Sequence, residues 1–68
     1  MNEIIFIVED APEGGWTARA LDHSIFTQGE EMTTLHEQVR DAVRCHFDEL
    51  QSPRVIRLHF VRDEVIAA

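Results

Sequence analysis

The sequence predicts an α+β domain of element order β-β-β-α-β, with one helix packed on a small sheet. Three observations carry that expectation. Ile4-Ile5-Phe6-Ile7-Val8 is a β-branched and aromatic run of strand length. Gly, Pro and acidic residues then cut the N-terminal half into short pieces. From Met32 to Leu50 the apolar residues recur at helical spacing.

The first run is continuous rather than alternating, the pattern of a strand buried on both faces. Asp10-Ala11-Pro12-Glu13-Gly14-Gly15 supplies the dihedral angles of a chain reversal and reads as a hairpin loop. Trp16-Thr17-Ala18-Arg19-Ala20 is the second strand, with Trp16, Ala18 and Ala20 on one side and Thr17 and Arg19 on the other. Asp22-His23-Ser24 breaks it, Ile25-Phe26-Thr27 is a short third strand, and Gly29 closes the unit.

A helix is expected from Met32 to Leu50. At about 100° per residue, Met32, Leu35, Val39, Ala42, Val43, His46, Phe47 and Leu50 share an arc of roughly 140°. Glu37, Asp41, Arg44 and Asp48 face the other way, and Glu37–Arg40, Asp41–Arg44 and Arg44–Asp48 have stabilising spacings. Thr34 with Glu37 fits a capping box, while Glu30 and Glu31 suit a start one turn earlier. Pro53 sets the expected stop. The last strand runs from Val55 to Arg62, with Ile56, Leu58 and Phe60 on one face and Val55, Arg57, His59 and Val61 on the other.

The chain of 68 residues is read as one domain, residues 1–68. A core of this size rarely supplies more than about 3–5 kcal/mol. Cys45 is the single cysteine, so neither an internal disulfide nor a cysteine-rich zinc site can add to it. One helix covers one face of a sheet, yet the first strand is apolar on both. A second copy of the chain is the expected cover. Ile5, Ile7, Val55 and Val61 form the expected interface of a homodimer or higher oligomer.

Six Arg, no Lys and thirteen acidic residues give a formal charge of −7. That field disfavours nucleic acid and favours a basic protein partner. No apolar stretch reaches membrane-spanning length, and Met1-Asn2-Glu3 lacks the basic region of a signal peptide. A cytoplasmic location is therefore expected, in reducing conditions that suit a lone thiol.

No group of residues reads as an active site, and no cofactor or metal is expected. Asp22-His23-Ser24 holds the residue types of a hydrolase triad, but neighbours in extended chain point to opposite sides. His46 sits mid-stripe and is expected as a core or interface imidazole. It lies ten residues from His36, about 15 Å of helical rise, too far to share a metal. Asp41, Cys45 and Glu49 share a helix side but read as solvated residues, and the two carboxylates would disfavour a thiolate. Gly14-Gly15 lacks the spacing and the Lys of a phosphate loop.

Pro12-Glu13-Gly14-Gly15-Trp16, then Thr27-Gln28-Gly29-Glu30, then a helix with Leu35, Val39-Arg40 and Ala42, resembles the HicB-like antitoxin family. The resemblance covers Glu3 to Phe60. It departs at Ala20-Leu21-Asp22-His23-Ser24, where the family often has Pro-x-Leu-Pro-Gly. It implies a mixed sheet of partial ribonuclease-H-like topology, with the first and last strands parallel neighbours. It implies no ribonuclease activity, because the first strand offers no metal-holding carboxylates between Ile4 and Val8. It also implies a non-enzymatic module that covers a small basic HicA-type toxin, an mRNA endonuclease. The family's usual C-terminal DNA-binding domain has no room here, so operon repression by this chain alone is not expected.

Glu9, Asp10, Glu13, Asp22 and Glu30 are the expected partner-binding residues, rimming one end of the sheet. The alternative class is a stand-alone structural or regulatory homo-oligomer with no toxin partner. An enzyme built across a subunit interface is the least supported class, since catalytic candidates are what it lacks.

Overall fold

The computed structural model describes residues 2–68. The elements are β1 (Glu3–Asp10), β2 (Trp16–Ala20), β3 (Phe26–Gly29), α1 (Met32–His46) and β4 (Val55–Phe60). This is the expected α+β order, in one mixed sheet with strands ordered β3-β2-β1-β4. β1 pairs antiparallel with β2 and parallel with β4. β2 pairs antiparallel with β3.

The period of two along each strand sorts the side chains into two faces. On the helix side lie Ile4, Phe6 and Val8, flanked in register by Ala18 and Ala20 on β2 and by Ile56, Leu58 and Phe60 on β4. With Ile25 and, from α1, Leu35, Val39 and Val43, they form the core. Phe6, Val8 and Leu35 are its largest fully buried side chains. Trp16 and Phe60 meet edge-on at 5.8 Å across the C-terminal end of β1.

The helix approaches the sheet closely at one point. A Cβ on Gly29 would lie 2.6 Å from the backbone nitrogen of Leu35. A Cβ on Gly15, whose φ of +79° already favours glycine, would lie 2.7 Å from the carbonyl oxygen of Gly29. The first turn, the end of β3 and the start of α1 are thus stacked backbone on backbone.

Several boundaries differ from expectation. α1 ends at His46, one turn short of Leu50, because Phe47 adopts extended dihedral angles with φ −111° and ψ 148°. The Phe47 ring turns onto His23, with centroids 5.0 Å apart, so it still reaches the core by leaving the helix. Asp48 and Glu49 would also oppose the negative end of the helix dipole. Leu50 drops out of the apolar stripe and is 99% exposed. The helix starts after Glu31, which makes no side-chain cap, so the Thr34–Glu37 capping box does not form. Of the three expected helix pairs, Asp41–Arg44 closes, at 3.5 Å, among the described residues. β3 begins at Phe26 and extends to Gly29, because Gly29 pairs with Trp16. β4 ends at Phe60, although Val61 still donates its N–H to the Val8 carbonyl. β1 is not buried on both faces: Ile4, Phe6 and Val8 are buried, while Ile5 and Ile7 are half-buried.

Leu35→Ala removes a fully buried side chain and is expected to cost about 2–5 kcal/mol, enough to unfold a domain of this size. Gly29→Ala is expected to lower Tm sharply through its clash with the helix backbone. Arg44→Ala and Leu50→Ala are expected to melt as the wild type does. Thermal melts at equal protein concentration check all four.

Candidate functional site: an acidic recess and an open sheet face

Asp10, Glu13 and Glu30 lie at one end of the molecule, where the hairpin loop meets the β3–α1 junction. Gly14 (φ +103°) and Gly15 (φ +79°) turn the loop back on itself. Gly14 donates to the Ala11 carbonyl and Ala11 to the Gly15 carbonyl, both at 3.0 Å. Because Gly15 rests on Gly29, Glu13 and Glu30 both line a recess of about 550 Å³. Trp16, Thr17, Gln28 and Thr34 also line it. None of these three acids has a cationic partner within 4 Å among the described residues.

The other two acids proposed from sequence are elsewhere. Glu9 points to the open face of the sheet and pairs with Arg19 at 3.8 Å. Asp22 lies at the opposite end, beside Glu3, Ile5 and His23, because Leu21 donates to the Ile5 carbonyl near the start of β1. The five acids therefore do not form one rim. Sequence reading also missed Trp16, Gln28 and Thr34 as recess residues. The signal for Trp16 and Gln28 was the β2–β3 register, which places Trp16 opposite Gly29 and Thr17 opposite Gln28.

The second feature is the sheet face that α1 leaves bare. Across its middle run Phe26, Arg19, Ile7 and His59, and beside them Leu21, Ile5 and Arg57. Val55 and Val61 share this face at the two ends of β4, 50% and 39% exposed, and Phe26 is 65% exposed. The four interface residues expected from sequence thus lie together. Two ion pairs flank the apolar strip. Glu9–Arg19 joins β1 to β2, and Glu3–Arg57 joins β1 to β4. Arg57 donates to both carboxylate oxygens of Glu3, at 2.9 and 3.0 Å.

Of the two places expected for His46, core or interface, the core is excluded: it is exposed at the end of α1. Its ring lies 5.6 Å from His23 and 4.8 Å from Phe47, a packed aromatic group that closes the helix C-terminus. Cys45 is exposed. Among the described residues, no three His, Cys, Asp or Glu side chains are placed to hold a metal ion. None of the helices is long and apolar enough to cross a membrane.

The chain is thus a small acidic α+β domain with a recess at one sheet end and an uncovered sheet face. Comparison places it more closely. The chain is 43% identical over 66 residues to a UPF0150 protein of Thermotoga maritima, covering 97% of this chain and 93% of that one. It is 52% identical over 55 residues to a UPF0150 protein of Archaeoglobus fulgidus, covering 81% and 82%. The chain belongs to the UPF0150 family. No family model matches it. No solved structure matches it either.

The two Arg57 hydrogen bonds, aided by its charge, hold the Glu3 carboxyl below its ordinary value of 4.5. A carboxyl depressed in the folded state contributes stability above its unfolded value, and that contribution is lost as pH falls through the folded one. Glu3→Gln is therefore expected to melt slightly below the wild type at pH 7, and the difference to fade as pH falls below 4.5 and to vanish below the lowered folded-state value. Because both groups are exposed, the effect is expected to be small and to shrink with added salt. Paired melts across pH check it.

Proposed function

We propose that this chain is a non-enzymatic, HicB-like antitoxin module that masks a small basic HicA-type mRNA-cleaving toxin and acts as a homo-oligomer. The observation that carries this reading is the recess lined by Glu13 and Glu30, which, like Asp10 at the same end of the sheet, have no cationic partner within 4 Å among the described residues. In a chain of net charge −7, unpaired carboxylates around a recess draw a basic surface by long-range attraction. The half-buried Trp16 at its wall adds apolar surface for the stem of a Lys or Arg side chain. Masking would be steric as well as electrostatic: an RNA-cleaving surface must be basic to hold its substrate, and an acidic domain seated on it excludes the phosphate backbone. The open face serves oligomerisation, because its ion pairs leave it nearly neutral.

The same neutral, apolar face favours a second reading, a stand-alone homo-oligomer with no toxin. A small basic endonuclease encoded beside this chain decides between them. Under the antitoxin reading, the purified protein inhibits RNA cleavage by that endonuclease. Glu13→Lys with Glu30→Lys should weaken binding by about tenfold or more and leave the melting profile near that of the wild type. Full inhibition by the double variant, or none by the wild type, would sink the reading. The chain itself is expected not to shift its own promoter fragment in a gel at about 0.15 M salt, the range where specific DNA-binding proteins bind at nanomolar concentration.

A further inference from the structure

α1 lies over β2 and β3, which leaves a groove of about 420 Å³ between the helix and β4. Its floor is apolar: Val39, Ile56 and Leu58. Its rim is cationic: His36 and Arg40 from α1 and Arg54 from the loop before β4. In a protein with six basic side chains against thirteen acidic ones, two of the six stand on this groove. Neither Arg40 nor Arg54 has a carboxylate within 4 Å among the described residues. β4 is also an edge strand, so backbone groups along the groove's outer side are unpaired.

The segment after β4 has the complementary chemistry. Asp63-Glu64 is followed at once by Val65-Ile66. Val65 is 94% and Ile66 80% exposed. With both side chains so exposed, this segment does not pack them against its own body. No Gly, Pro or Asn stands between Phe60 and Val65 to reverse it.

We propose that residues 62–66 of one copy seat in the α1–β4 groove of a second copy, and reciprocally. Alternate residues of the extended segment face the groove: Glu64 meets Arg40 and Arg54, and Ile66 covers the apolar floor. An extended segment of this kind can also pair with the free edge of β4, the usual mode of strand addition. A second copy is favoured over an unrelated acidic peptide because one two-fold arrangement covers both grooves and both exposed segments at once. This inference rests on the homo-oligomeric part of the proposed function, but it uses a surface separate from the open sheet face.

Disulfide trapping tests it on full-length chains. In a Cys45→Ser background, one protein carries Ile66→Cys and another carries His36→Cys. Mixed and mildly oxidised, they are expected to give a covalent heterodimer about tenfold above either homodimer. Arg40→Glu with Arg54→Glu in the His36→Cys protein should cut that yield to the statistical level. Asp63→Arg with Glu64→Arg in the Ile66→Cys protein should then restore it. All these positions are exposed, and circular dichroism confirms that each variant folds. Statistical trapping between copies whose wild type sediments as an oligomer would overturn the groove contact and leave the oligomer to the open face. A wild type that sediments as a monomer at about 100 µM would overturn both.

Discussion

The stack of Gly15 on Gly29 and of Gly29 on the start of α1 is the constraint from which the rest of the structure follows. The approach distances leave no room for a side chain at either position. Because the layers touch through backbone, the helix enters the sheet at a fixed point, and its apolar stripe falls on β2 and β3. The same contact brings the hairpin loop against the β3–α1 junction. The acidic recess is a consequence of close packing, not an independent feature.

Placing α1 there has two further consequences. The helix cannot also cover β4, so Ile56 and Leu58 remain half-buried beside a groove and Phe60 is 48% exposed. Nor can it reach the other face of the sheet, where Ile5, Ile7, Leu21 and Phe26 are left without a covering layer. The two ion pairs on that face join neighbouring strands, and being exposed they contribute little to stability. Their effect is on charge. They leave the open face nearly neutral in a strongly acidic chain. Two of the acids without a partner, Glu13 and Glu30, line the recess instead.

Much of this was legible in the residues. The β-branched run of β1, the Pro-Glu-Gly-Gly reversal and the alternation of β2 and β4 are local patterns, and local patterns fix elements. Both faces of β4 were sorted correctly because a period of two needs no knowledge of neighbours. The end of α1 was not legible, since the periodic stripe continues to Leu50 while the chain leaves the helix to place Phe47 against His23. That His46 lies outside the core was not legible for the same reason: a helical position says which way a side chain points, not whether anything lies there.

The sequence by itself determined the element order, the excess of negative charge and the apolar character of β1 on both sides. Each is a property of composition or of short-range spacing. The tertiary structure decided which charges act together. Glu9 and Asp10 are adjacent in sequence, yet the pleat sends Glu9 to Arg19 on the open face, while Asp10 lies opposite Trp16 at the recess end. Asp22 and Glu30 are both loop acids, yet the antiparallel course of β2 and β3 carries them to opposite ends of the sheet. Grouping side chains into a site depends on strand register and on where backbones can touch, and those are fixed by contacts between residues far apart in the chain.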